Sequence, residues 1–210
     1  LDVIYSNRFS NCGQICDGLK RLIVHENVYE KVLIKLKKKL ANISIGDASQ
    51  NGIDMGPLVS EKQLETLKLQ VEDAKQKGAR IEFEYKLPND LDGYFYPPTI
   101  ISNVKPDMDV WKEEVFGPVL PIVTFKTEEE AIDKANDTKY GLGGYIFTED
   151  QKKAKRVSLQ IKSGMIQHNN ASYITPSDPF GGCKLSGIGR EHGKFGFYDL
   201  SQVKIVSLQK

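Results

Sequence analysis

Short apolar runs alternate with longer stretches of helical periodicity at least four times along this chain. Such alternation restricts the fold to an α/β layer: an open, largely parallel sheet flanked by helices. Residues 1–18 read as a lead-in and a tight turn. The run Leu19–His25 reads as a buried strand. Asn27 is placed as the N-cap of a helix whose inner face is Val28, Val32, Leu36 and Leu40, ending near Asn42. Residues 43–59 are rich in Gly, Asp, Ser and Asn and read as loop. Ser60 with Gln63 makes a capping box before Leu64, Leu67, Val71 and Ala74, and Gly78 suits the left-handed stop of that helix.

Strands are expected at Ala79–Tyr85, Thr99–Val104, Val119–Phe125, Leu142–Phe147, around Met165–Ile166, and finally at Val203–Leu208. Residues 106–114 read as irregular or a short helix. Two more capping boxes, Thr127/Glu130 and Thr148/Gln151, open helices running to about Asp137 and through Val157. Asn169–Gly193 is a long loop, the kind that usually serves function in a compact domain.

Charge narrows the partners. Basic and acidic residues number 29 and 28, for a formal net charge of +1. No overall field favours nucleic acid or an anionic membrane surface. No apolar run approaches the roughly 18 residues of a membrane-spanning helix. Three cysteines cannot close a complete intramolecular disulfide framework, and sparse cysteine suits a reducing, cytoplasmic setting.

Three stretches carry chemistry. The first is Asn11-Cys12-Gly13-Gln14-Ile15-Cys16-Asp17-Gly18, where a thiol sits among residues unsuited to a core. The second is Glu113-Glu114-Val115-Phe116-Gly117-Pro118-Val119. The third is Pro179-Phe180-Gly181-Gly182, continuing through Ser186-Gly187-Ile188-Gly189-Arg190-Glu191. In this order they resemble the aldehyde dehydrogenase superfamily over nearly the whole chain.

The resemblance implies the following. Gly13-Gln14-Ile15-Cys16 matches the family's Gly-Gln-x-Cys, whose cysteine is the nucleophile, so Cys16 is the expected catalytic thiol. Ile15 and Asp17 would flank it and shape the aldehyde pocket, together with Ile174 and Phe180. Glu114 would accept hydrogen bonds from the nicotinamide ribose hydroxyls, and Phe116 would pack beside the nicotinamide ring. Asn169 would be structural, holding its loop near the thiol. The cofactor would be NAD or NADP, bound mainly by a dinucleotide-binding domain expected upstream of Leu1. The glutamate that activates the hydrolytic water and an oxyanion-stabilising asparagine are expected there too. Residues 1–198 would form the thiol-bearing catalytic domain and 199–210 an oligomerisation strand. The substrate would be a small aldehyde, the assembly a homo-oligomer (dimer or tetramer), and the isolated segment would have little or no activity.

Other readings are weaker. A non-catalytic module that keeps only the fold and interface is the runner-up, and a relative that transfers its acyl group to coenzyme A is the third. Cys12 reads as a packed thiol. No Cys-x-x-Cys or His-x-x-x-His spacing supports a metal site, so none is expected. Gly193-Lys194 is followed by Phe195 and preceded at the required position by Ile188, which rules out a phosphate-binding P-loop. His25, His168 and His192 are read as structural or surface residues, and Arg190 and Glu191 as structural polar contacts.

Overall fold

The structure, a computed structural model, describes residues 1–169 and 175–209. The chain divides into two compact units, Leu1–Thr138 and Lys139–Lys210.

The first unit is built on a four-stranded sheet ordered β1-β4-β3-β2, comprising β1 (Leu22–His25), β2 (Arg80–Glu84), β3 (Thr99–Ser102) and β4 (Val119–Phe125). β4 runs parallel to β1, with Leu22 opposite Ile122, and parallel to β3, with Thr99 opposite Val119. Only β2 is antiparallel, joining β3 with a register irregularity between Ile81 and Phe83. All four residues of β3 and the first four of β4 are buried. Burial at consecutive positions means that both faces are covered, the mark of a central strand between helical layers.

Five helices belong to this unit: α1 (Asp2–Phe9), α2 (Glu26–Leu40), α3 (Glu61–Gln76), α4 (Asp109–Lys112) and α5 (Glu128–Asn136). Helices α1, α2 and α5 contact β4, and α3 contacts α4. The α3 face follows the expected spacing at Leu67, Val71 and Ala74, with Gln70 buried beside them. Lys77 caps the helix and Gly78 follows at φ 93°, a conformation costly to any residue with a Cβ.

Several expectations need correction. Residues 2–9 form a helix, not a lead-in. Its register is hidden in sequence because Arg8, a charged residue, is fully buried in it. The N-cap of α2 is His25, whose Nδ1 accepts from the Asn27 N–H at 3.2 Å. The inward face of α2 is Leu33, Leu36 and Leu40, and Val28 is exposed. A strict four-residue spacing drifts around a helix of 3.6 residues per turn, so one end of that row leaves the core. The Ser60 and Thr127 boxes are each half formed. Both hydroxyls accept from the N–H three residues on. Gln63, however, donates to the Phe116 carbonyl, and Glu130 accepts from the Lys126 N–H instead of the Thr127 N–H.

The second unit is a strand–helix–strand motif. β5 (Gly143–Ile146) pairs in parallel with β6 (Met165–His168), and α6 (Gln151–Ser158) connects them. Asp150, not Thr148, caps α6, its Oδ1 accepting from the N–H groups of Lys152 and Lys153. A carboxylate two residues closer to the first turn outcompetes the hydroxyl. The long loop holds a 3₁₀ turn (Lys184–Ser186) and a bridge between Phe180 and Glu191, and ends in α7 (Gly193–Asp199). Residues 201–209 form no strand with any described residue, and Val203, Ile205 and Leu208 are almost fully exposed. A strand needs a partner edge for its backbone groups, and this segment finds none among the described residues.

Candidate active site

The turn that carries the thiol is made by a reversal straight after α1. Asn11 and Cys12 both take left-handed conformations, φ 50° and 57°, and Gly13 follows at 71°. Asn tolerates that region, but Cys does so only when held. The holding contacts are visible. The Cys12 Sγ is buried and donates to the Gly56 carbonyl at 2.7 Å. Gln14 accepts from the Val59 N–H at 2.9 Å and donates to the Asn11 carbonyl at 3.1 Å. These bonds pin the turn against residues 56–59 and leave Cys16 exposed, with Ile15 and Asp17 half-buried on either side.

Burial pushes the Cys12 thiol up to about 11. It is therefore a packed, protonated group, while the exposed Cys16 is open to an electrophile.

Behind the thiol, the turn lies directly on the Glu114–Gly117 segment. A Cβ on Gly13 would fall 2.4 Å from the Gly117 carbonyl oxygen and 2.8 Å from that of Arg8. Only glycine permits this approach. Arg8 ties the layers together from within. Its guanidinium is fully buried and donates to the carbonyls of Leu19 (3.4 Å), Val115 (3.0 Å) and Gly117. Burial lowers it to about 9, opposed by Glu114, so it stays charged at neutral pH. From the other side α3 supports the same segment. Gln63 donates to the Phe116 carbonyl at 2.7 Å, and Gln70 donates to that of Glu114 at 3.1 Å.

The part-buried side chain joining these pieces is Lys20. Its ammonium donates to the Ile15 carbonyl at 2.6 Å, lies 3.4 Å from Glu114 Oε1, and stands 4.7 Å from the centre of the Phe116 ring. Burial and the nearby Arg8 guanidinium pull the amine down to about 8, while Glu114 and Cys16 act in the opposite direction. Glu114 itself is well exposed, and Phe116 is half-buried.

Thus Ile15, Cys16, Asp17, Glu114 and Phe116 occupy two adjoining segments of the first unit. Phe180 lies in the second unit, half-buried, its main chain paired with Glu191 at 2.8 and 2.7 Å and its ring 6.1 Å from that of His192. Ile174 lies outside the described residues. Arg190 donates to the carbonyls of Gly182, Ile188 and Gly189, a structural role. Asn169 pairs with both main-chain polar groups of Thr148. Among the described residues, no three His, Cys, Asp or Glu side chains cluster as metal ligands would.

Sequence reasoning missed Arg8 and Lys20. For Lys20 the available signal was a cation four residues after the thiol, a short reach on a turn. For Arg8 there was none, because a lone arginine near a chain start reads as surface.

A model of the aldehyde dehydrogenase family matches residues 1–206. The chain belongs to the aldehyde dehydrogenase family. Over 196 residues it is 43% identical to the peroxisomal aminoaldehyde dehydrogenase 2 of Pisum sativum, covering 93% of this chain and 39% of that protein. The lactaldehyde dehydrogenase of Escherichia coli superposes with a TM-score of 0.92 at 35% identity, over 100% of this chain and 44% of that one. An NAD⁺ complex of an aldehyde dehydrogenase from Bacillus cereus superposes at 0.91 with 35% identity, over 97% of this chain and 41% of that one. The chain therefore spans about two fifths of the length of the relatives it matches. Its α/β fold is that of an aldehyde dehydrogenase.

Proposed function

We propose that the protein carrying this chain oxidises an aldehyde to a carboxylic acid with NAD or NADP, using Cys16 as the nucleophile. One observation carries the reading. An exposed thiol stands on a turn packed, backbone to backbone, against a segment presenting an outward carboxylate and an aromatic face.

The residues fit a nicotinamide riboside. Glu114 is exposed and retains acceptor sites that Lys20 does not use, enough for two vicinal hydroxyls. The half-buried Phe116 ring offers a surface to a planar ring. When bound, the cofactor supplies the hydride acceptor. The chain's own work is covalent. The Cys16 thiolate, its proton lost to solvent, adds to the aldehyde carbon and gives a thiohemiacetal. After that carbon is oxidised, the same sulfur holds the acyl group as a thioester. Water adds, the carbon–sulfur bond breaks, and the thiolate is regenerated with release of the acid. Ile15, Asp17, Ile174 and Phe180 are assigned to the aldehyde pocket.

The exposed apolar tail at residues 203–208 is assigned to strand addition on a neighbouring copy, which makes the working protein a homo-oligomer. Residues 1–198 are assigned as the catalytic domain and 199–210 as that interface strand. Three free cysteines suit a reducing compartment, here the cytoplasm.

The test is steady-state oxidation of short aldehydes by the full-length protein, with Cys16→Ala beside it and iodoacetamide labelling as a second readout. The expected result is NAD(P)-dependent turnover that Cys16→Ala abolishes, with the label found on Cys16. Turnover that survives Cys16→Ala would overturn the proposal.

A further inference from the structure

We propose that Lys20 is the positioning residue for the cofactor side of this site. Anchored on the Ile15 carbonyl, its ammonium sets where the Glu114 carboxylate and the Phe116 ring stand to receive the nicotinamide riboside. The inference rests on the function proposed above and adds a residue to it.

An exposed ion pair usually contributes little and has no consequence beyond its own charges. Three observations separate Lys20 from that ordinary case. Its side chain is only 19% exposed, against 41% for Glu114. The ammonium meets a carbonyl, a carboxylate and a ring face at once. The carbonyl belongs to Ile15, the residue directly before Cys16, so a single side chain spans the thiol turn and the Glu114–Phe116 segment.

The geometry favours positioning over blockade. An ionised carboxylate has about four acceptor sites. Lys20 approaches one oxygen of Glu114, whose side chain stays well exposed. A ribose diol can bind while the ion pair persists, and the carboxylate it meets has already lost its rotamer freedom. A fixed partner costs a ligand less to engage than a mobile one.

The charged and titratable groups facing Lys20 are Arg8 from α1, Glu114 from the segment before β4, and Cys16 from the thiol turn. Burial and Arg8 disfavour the ammonium, whereas Glu114 and Cys16 favour it, and the amine titrates at about 8. Above that pH the neutral amine no longer holds Glu114. Positioning is therefore present at lower pH and lost as pH rises through about 8. Arginine at this place would stay charged throughout.

The test is binding of NADH and of NADPH, each followed by its fluorescence without aldehyde, to the full-length wild-type protein, Lys20→Met and Lys20→Arg from about pH 6.5 to 9.5, with the tighter-binding nucleotide used for the comparison. Lys20→Met keeps most of the apolar stem against Phe116 and removes the charge. Wild-type affinity should weaken as pH rises through about 8. Lys20→Met should bind about fivefold more weakly at neutral pH, the scale of ordering one side chain on binding, with a flat profile. Lys20→Arg should bind well and lack the inflection. Iodoacetamide labelling of Cys16 should continue in all three.

Lys20→Met with wild-type affinity and profile, or with tighter binding, would overturn the assignment while leaving the proposed function standing. Wild-type protein that binds neither NADH nor NADPH would overturn both. If Lys20→Met does not fold, Lys20→Arg decides: an inflection near 8 retained in that variant refutes a role for Lys20.

Discussion

Replacing Arg8 by methionine should cost the protein about 2–4 kcal/mol. The figure is worked from its contacts. The guanidinium is fully buried and donates to three carbonyls, and the bonds to Val115 and Gly117 are the close ones. A hydrogen bond from a charged donor contributes about 1.5–3 kcal/mol, so losing two amounts to about 3–6 kcal/mol. Part of this is offset. The Gly117 carbonyl still accepts from the Val119 N–H at 2.8 Å. The variant also sheds a buried charge whose Nε has no partner, and burying a charge carries its own penalty. The remainder is chiefly the Val115 carbonyl left dry and unpaired. For a chain of this length, about 3 kcal/mol lowers the melting temperature by roughly 6–12 °C. The assay is urea unfolding of wild type and variant at constant slope. A midpoint shift equivalent to under about 0.5 kcal/mol would refute the claim that Arg8 staples the thiol turn to the Glu114 segment. Arg8→Lys should recover only part of the loss, because a single ammonium cannot reach all three carbonyls in the guanidinium's planar fork.

Gly13→Ala should be at least as damaging, about 2 kcal/mol or more, because it adds a left-handed alanine to a clash with the Gly117 carbonyl. Wild-type melting behaviour in that variant would contradict the close approach. Cys12, raised to about 11 by burial from an ordinary 9.0, contributes stability that is complete below about pH 9 and lost as pH rises through about 11. Over that window wild type should lose about 2–3 kcal/mol more than Cys12→Ala in parallel denaturant titrations. Glu82 behaves oppositely. Burial would raise it, but hydrogen bonds from Arg80, Ser102 and Lys37 outweigh burial and hold it at about 2. Its contribution is present above the ordinary carboxylate range and lost as pH falls towards 2, so Glu82→Gln should flatten acid unfolding, read by circular dichroism.

The fold was legible where periodicity and local chemistry agreed. β4 was read from its apolar run with its observed ends, Val119 and Phe125. The α3 face and the left-handed stop at Gly78 follow from short-range rules, since capping and backbone conformation are decided by a few neighbouring residues. Misreadings arose where a competing group lay nearby. Asp150 displaced Thr148 at the start of α6, and the His25 ring took the cap assigned to Asn27. Val203–Leu208 has strand composition, yet a strand is a relation between two edges, and residues 201–209 form none with any described residue.

The candidate site divides in the same way. Motif spacing named Cys16, Glu114 and Phe116, because a family's chemistry demands those residue types in short fixed runs. Their juxtaposition depends on contacts spanning about a hundred residues: Arg8 to Val115, Gly13 to Gly117, Lys20 to Glu114. Sequence alone determined the layered α/β class and the motif that puts Cys16 forward as the proposed nucleophile, both written in local pattern. Only the tertiary structure decided which cations serve them, because the burial of Arg8 and Lys20 is set by the distant segments that close over them.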